Sequence, residues 1–369
     1  MDLTVRDAIE ETVSSVVRRT PGATAVLTLR HLAHMCNVPY PFLRKIVERD
    51  RAIDFYRVFS LKRKNQGLRK RPRFVCVPHP LLMRAQRWIH HNILLYAKPH
   101  SASKAYGKDC SILDAAQPHC LATWLIKMDI TKFFDAIVEN SVQHAFEKLG
   151  YQPLISFEMA RICTRLRLRG NISKESDKSY SAISKYTNMH LGHLPQGAPT
   201  SPVLANLVAH KLDIAISNMA AREEMTYTRY ADDITLSYRG RKFSRSKAAR
   251  IIDECYGIMR GMGFFENQTK TRVVPPGSRK IVLGLLVDGV RPRLTPEFKN
   301  SMRSHLYYLS KFGPYNHASS RGFDSITGLQ NHLYGLAAFA VGVDKKWGRA
   351  TLKELNSISW PSSFLMPQS

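Results

Sequence analysis

The stretch TRYADDITLSYRG, residues 228–240, places two carboxylates, Asp232 and Asp233, side by side where the surrounding pattern reads as strand. Aspartate is a poor strand residue and adjacent like charges repel. A fold that keeps the pair must therefore offset its cost. Two aspartates in a turn are, taken alone, an ordinary surface feature. They become a chemical site only if the fold brings further acidic side chains to them and a cation sits among the charges.

The flanking segments supply such a fold. TYTRYA and DITLSY alternate and face each other across a tight turn, which predicts a β-hairpin with the Asp pair at its tip. WLIKMDI predicts a short apolar strand that delivers Asp129 at its C-terminal end, and TKFFDAI follows it. LPQGAPTSPVLANLVAHKLDIAISNMAA opens with a turn rich in Gly and Pro and then reads as a helix, with Ser201 as N-cap and Pro202 at the first helical position. SRSKAARIIDECYGIMRGMGF reads as a second helix with Ile251, Ile252, Cys255, Ile258, Met259 and Met262 on one face, and TRVV and KIVLGLLV read as strands. Strand, helix, two strands, helix, strand is the split βαβ order, which makes Asp129 and Asp232 neighbours in space. Carboxylates gathered at one sheet end suit a hard divalent cation such as Mg²⁺. Two such ions roughly 3.5–4 Å apart can activate an attacking hydroxyl and stabilise a leaving oxygen in phosphoryl transfer.

The charge balance points the same way. Fifty-five Lys and Arg against 29 Asp and Glu leave the 369-residue chain at +26, which implies a polyanionic partner, nucleic acid or an acidic membrane. No run of about 18 apolar residues exists, and the N-terminus MDLTVRDAIEETVSS carries acids where a secretory signal carries bases, so a cytoplasmic protein that neither crosses a membrane nor is exported is expected. The six cysteines show no CxxC pair and read as free thiols rather than zinc ligands. FYRVFSLKRKNQGLRKRPRFVCVP forms two strand-like runs around a loop with seven basic residues from Lys62 to Arg73, either a solvated loop or a phosphate contact.

Five blocks occur in the order and spacing of a reverse transcriptase palm: KMDITKFFDAI at 127–137, LPQGAPTSPVLANL at 194–207, YADD at 230–233, ENQTKT at 266–271 and VLGLLV at 282–287. The chain resembles the bacterial retron-type reverse transcriptases from about Tyr56 onward. That resemblance implies an α+β right-hand polymerase that makes DNA on an RNA template. Residues 1–50 would be a helical lead-in, 51–125 the fingers with part of 138–193 interleaved, 126–289 the palm on its split βαβ sheet, and 290–369 a helical thumb. The family's catalytic aspartates fall on Asp129, Asp232 and Asp233. Asp129 and Asp232 would bridge two Mg²⁺ ions with the Ile130 carbonyl as an extra ligand, and Asp233 would stand in the outer shell. Lys270 matches a lysine near the departing pyrophosphate, with a plain surface lysine as the alternative. Phe134 matches the steric gate under the incoming sugar, or is a core Phe beside Phe133; Gln196 and Gly197 match the block lining nucleotide and template.

Arg73 matches the fingers arginine on the triphosphate, ahead of Lys62 and Lys64, because a bidentate guanidinium suits phosphate better than a point charge. Tyr230 is placed near the primer end or in sheet packing, and His119 in the segment that meets primer, template or RNA. Family members typically read Asn-Ala-x-x-His there and Val-Thr-Gly in the last palm strand. This chain has Ala115, Ala116, Gln117, Pro118, His119 and Val282, Leu283, Gly284. Tyr, His, Lys and Arg interleaved through 290–369 would suit an RNA or duplex backbone, or pack in the core. The implied partners are dNTPs, a structured non-coding RNA that serves as template and primer, its cDNA product, and an effector protein encoded nearby; the implied role is antiphage defence. Another defence-associated or group II intron-derived reverse transcriptase, or an RNA-binding scaffold with a vestigial site, are the alternatives.

Overall fold

The structure is a computed structural model that describes residues 3–49, 55–61, 73–107, 110–166 and 191–361. By compactness the chain forms two units, the first comprising residues up to Cys110 with Ile126–Leu236 and Ser244–Arg272, the second Ser111–Leu125, Ser237–Phe243 and the chain from Val273 onward.

In the first unit, β1 (Tyr56–Leu61) and β2 (Arg73–Pro78) form an antiparallel ribbon, with Tyr56 opposite Pro78 and Leu61 opposite Arg73. The central sheet has the order β4-β5-β3-β6, where β3 is Trp124–Asp129, β4 Thr226–Tyr230, β5 Asp233–Tyr238 and β6 Arg272–Val274. This is the split βαβ arrangement, with the two aspartate-bearing strands adjacent at its centre. Both are buried over nearly their whole length, Thr235 and Ser237 included, so β5 is a covered central strand rather than one with a solvent face. The helix His210–Arg222 packs on β4 and on the helix Arg245–Gly261. The latter buries Ala248, Ile251, Cys255 and Met259, the last three on the predicted apolar face, whereas Met262 lies beyond its end and is exposed.

Two local expectations need correction. Thr200, not Ser201, holds the N-cap position of the helix Ser201–Val208, because the Ser201 hydroxyl is spent donating to the Pro195 carbonyl at 2.7 Å. That helix does not run on unbroken. Ala209, at ψ 0°, separates it from His210–Arg222.

A buried ion pair ties this unit together. Arg229 on β4 and Asp213 on the helix His210–Arg222 are both fully buried, and the guanidinium grips the carboxylate with two bonds of 2.7 and 2.6 Å. The Tyr227 hydroxyl donates to the same carboxylate at 2.7 Å. The remaining guanidinium nitrogen donates to Asn206 Oδ1 at 3.1 Å and to the Ala231 carbonyl at 2.9 Å, one residue before Asp232. Such a pair is neutral to stability when intact but costly when halved.

In the second unit, β7 (Ile281–Val282), β8 (Leu285–Leu286) and β9 (Arg293–Leu294) form a three-stranded antiparallel sheet. KIVLGLLV is thus two strands and not one. Leu283 and Gly284 carry φ of +47° and +83°, the two positive values that a tight type I′ hairpin turn demands. Three helices follow, Pro296–Ser320, Ile326–Val343 and Lys345–Asn356, the first capped by Thr295 with Pro296 at its start and broken at Gly313. Leu309, Leu329, Leu333, Ala337 and Leu355 form a core among them. Among the described residues no helix is long and apolar enough to cross a membrane, and all six cysteines are free thiols.

Replacing Asp213 by Ala strands a fully buried guanidinium. We expect a loss of about 3–5 kcal/mol in folding free energy, measured by urea denaturation, while Glu10→Ala, which removes an exposed surface pair with Arg6, changes it by less than about 1 kcal/mol.

Candidate active site

Asp129 ends β3, Asp232 sits in the two-residue turn after β4, and Asp233 opens β5. The sheet brings them together: the Ile130 amide donates to the Asp232 carbonyl at 2.9 Å. The backbone is bent sharply on both sides, with Ala231 at φ +56° and Lys132 at φ +49°. Left-handed backbone in a non-glycine residue costs about 1–2 kcal/mol and persists only where the surroundings impose it. At Ala231 the Arg229 guanidinium does so, through the Ala231 carbonyl.

On its other flank, β3 is extended by the segment 265–267. Thr131 N donates to the Phe265 carbonyl at 2.7 Å, and Asn267 N to the Asp129 carbonyl at 2.8 Å. Asn267 also turns its side-chain amide to Asp129 Oδ1 at 3.1 Å, and Lys270 places its ammonium on Asp129 Oδ2 at 2.5 Å. Lys270 therefore joins the aspartates directly. Its side chain is half-exposed, which leaves room to move. Asn267 was not singled out by sequence reasoning, although it lies inside the ENQTKT block. Asp213 and Arg229 were also missed, and no local pattern marks them.

Asp233 has its carboxyl pushed above the usual carboxylate range, first by burial and then by the charges of Asp232 and Asp129. A carboxyl raised by burial and by two neighbouring carboxylates, in a cluster of hard oxygen donors, matches a divalent cation in chemistry. Among the described residues no group of three or more His, Cys, Asp or Glu is set to hold a metal ion. Both Asp129 oxygens are turned to Asn267 and Lys270 instead.

Of the other expected site residues, Gln196 and Gly197 lie on β2, where Cys76 N donates to the Gln196 carbonyl at 2.7 Å. Gly197 is at φ +110°, and a Cβ there would stand 2.8 Å from the Cys76 carbonyl oxygen, so only glycine fits this seat. Phe134 is half-buried and packs on Phe133, which is itself buried under the Arg229 guanidinium. Tyr230 closes β4 and is half-buried. Arg73 opens β2; its side chain, and Lys62 and Lys64 entirely, lie outside the described residues.

His119, expected in the segment that meets primer, template or RNA, is enclosed in the structure. It lies in the second unit with no exposed surface, its Nδ1 2.7 Å from Ser237 Oγ, and burial holds its pKa down to about 3. Ala115 and Ala116, which stand where the family usually has Asn-Ala, are buried beside it in sequence and leave no polar group there.

Comparison with known proteins assigns the class. A family model described as reverse transcriptase (RNA-dependent DNA polymerase) matches residues 62–287. The chain is an RNA-directed DNA polymerase with the α+β right-hand fold, and enzymes of this family generally use divalent metal ions. It is 29% identical to the Retron Ec86 reverse transcriptase of Escherichia coli over 341 residues, 92% of each chain. It is 30% identical to the Retron Ec73 reverse transcriptase of Escherichia coli over 236 residues, 61% of this chain and 68% of that one. To the Retron Mx162 reverse transcriptase of Myxococcus xanthus it is 29% identical, over 79% of this chain and 59% of the other. The chain belongs to the retron-type reverse transcriptases.

Gly197→Ala should unseat the 195–199 turn from β2. We expect a fall in stability of about 1–3 kcal/mol by thermal unfolding and a raised KM for dNTP in primer extension.

Proposed function

We propose that the chain copies part of a cognate structured non-coding RNA into single-stranded DNA, using Asp129, Asp232 and Asp233 for nucleotidyl transfer. The observation that carries the reading is the bond from Ile130 N to the Asp232 carbonyl, which joins the ends of the two aspartate-bearing strands. In this reading Asp129 and Asp232, with the Ile130 carbonyl, would hold two Mg²⁺ ions, and Asp233, the weaker candidate as a direct ligand, would support them. When bound, Mg²⁺ supplies acidity to the primer 3′-hydroxyl and offsets charge on the leaving pyrophosphate.

The chain's own groups do the rest. Lys270, which holds Asp129 Oδ2 at 2.5 Å and is half-exposed, would neutralise or protonate the departing pyrophosphate. Arg73, helped by Lys62 and Lys64, grips the triphosphate. Gln196 and Gly197 bring backbone close to the nucleotide, Phe134 blocks a 2′-hydroxyl, and Tyr230 packs near the primer end. Fingers within 51–125 and part of 138–193, palm 126–289 and thumb 290–369 form the hand; the lead-in 1–50 packs on it through Arg49, which donates to the Thr164 carbonyl at 2.7 Å. The net charge of +26 suits retention of the RNA and its cDNA. The biological setting we propose is a cytoplasmic retron in antiphage defence, paired with an effector protein.

Asp232→Asn combined with Asp233→Asn should abolish cDNA synthesis while RNA affinity stays within about twofold, since the phosphate contacts that dominate binding lie elsewhere. Gel-based extension and filter binding on the same RNA read the two quantities. Residual synthesis by the double variant would remove these aspartates from the chemistry. Sequencing the nucleic acid that copurifies with the protein tests the template: one small RNA joined to a DNA of defined length supports the retron product, and long cDNA unrelated to a neighbouring RNA gene refutes it.

A further inference from the structure

Tyr106 combines three features that do not ordinarily go together. Its ring is 41% exposed, its backbone is left-handed at φ +64°, and it packs on Phe134 with ring centroids 6.4 Å apart at 51°. A β-carbon in that backbone region is strained where glycine would not be, so the ring sits at a place the surrounding fold must enforce.

The enforcement is visible on the preceding residues. The segment 102–105 runs alongside β4: Arg229 N donates to the Ala102 carbonyl and Lys104 N to the Arg229 carbonyl, both at 2.8 Å, in a parallel bridge between Ser103 and Arg229. Asn206, whose Oδ1 accepts from the Arg229 guanidinium, donates its amide to the Ala105 carbonyl at 2.7 Å. The backbone immediately before Tyr106 is therefore clamped by the network that also fixes the carbonyl before Asp232. Phe134 packs on the buried Phe133, 5.7 Å away, and on Tyr106.

We propose that Tyr106 is a positioning residue for Phe134, a second ring that fixes the Phe134 side chain against the sugar of the incoming nucleotide and so sharpens the choice of deoxyribonucleotide over ribonucleotide. The proposal rests on the reading of Phe134 as the residue that meets the 2′ position. An aromatic pair in this geometry restrains both rings. Without Tyr106, Phe134 keeps its neighbour Phe133 but gains freedom to turn aside, and a 2′-hydroxyl meets a softer wall. The aromatic face is what matters, not the phenol.

The test is single-nucleotide primer extension with dATP and ATP, comparing the ratio of kcat/KM values for Tyr106→Ala, Tyr106→Phe, Tyr106→Gly and Phe134→Ala. Tyr106→Ala should lower the deoxy-over-ribo ratio by roughly three- to tenfold, the worth of one aromatic pair, mainly through a lower KM for ATP. Tyr106→Phe should restore it. Tyr106→Gly, which relieves the backbone, should lose the ratio as Ala does and decides the matter if the Ala variant fails to fold. General damage to the fold would lower both nucleotides' kcat/KM together and leave the ratio alone. An unchanged ratio in Tyr106→Ala and Tyr106→Gly, with a collapsed ratio in Phe134→Ala, overturns the role of Tyr106 and leaves the gate standing. An unchanged ratio in Phe134→Ala overturns the gate itself, and this inference with it.

Discussion

The Arg229–Asp213 pair is the interaction on which the site depends. One guanidinium, wholly removed from water, binds a carboxylate on the neighbouring helix, an asparagine on the helix before it and the carbonyl of Ala231. Each of its nitrogens has a partner, which is the condition under which a buried charge is tolerated. A lysine could not take its place, since a single ammonium cannot reach a carboxylate in bidentate fashion and two further acceptors in the same plane. The arrangement converts one ion pair into a fixed distance between a helix, a strand and the turn that carries Asp232.

Electrostatics around the aspartates show the complementary case. There burial, and then the charges of Asp232 and Asp129, push the Asp233 carboxyl up, and Lys270 covers one oxygen of Asp129. In the proposed reading, it is this cluster of carboxylates that a cation and a triphosphate would meet.

Much of this was legible in the sequence where local chemistry carried a cost. Two adjacent aspartates in a strand pattern demand an explanation, and the order of strands and helices was enough to place Asp129 beside Asp232. The Gly and Pro-rich turn before the helix is legible, but its seat against Cys76 of β2 is not. What stayed hidden depended on long-range partners. Asp213 looks like any polar residue on an amphipathic helix, and Arg229 like an exposed basic residue in a hairpin; only the fold reveals that both are buried. KIVLGLLV announces its turn only through Gly284, which a strand can also carry as a bulge, and the antiparallel pairing with two positive φ values is what makes it a hairpin. His119 is read from its place in a motif, and its burial beside Ser237 is visible only in the fold.

The segment 102–105 has one more consequence. β4 is the outermost strand of its sheet, and strands in that position expose a row of amides and carbonyls that another chain can pair with. By bonding to Arg229 on both sides, Ala102 and Lys104 occupy part of that row. The stretch thus protects the protein from sticking to itself through its own palm. A nick or insertion that frees this stretch would uncover that row of β4 and loosen the Asn206–Arg229 network with it, so a split version of the enzyme is better divided elsewhere.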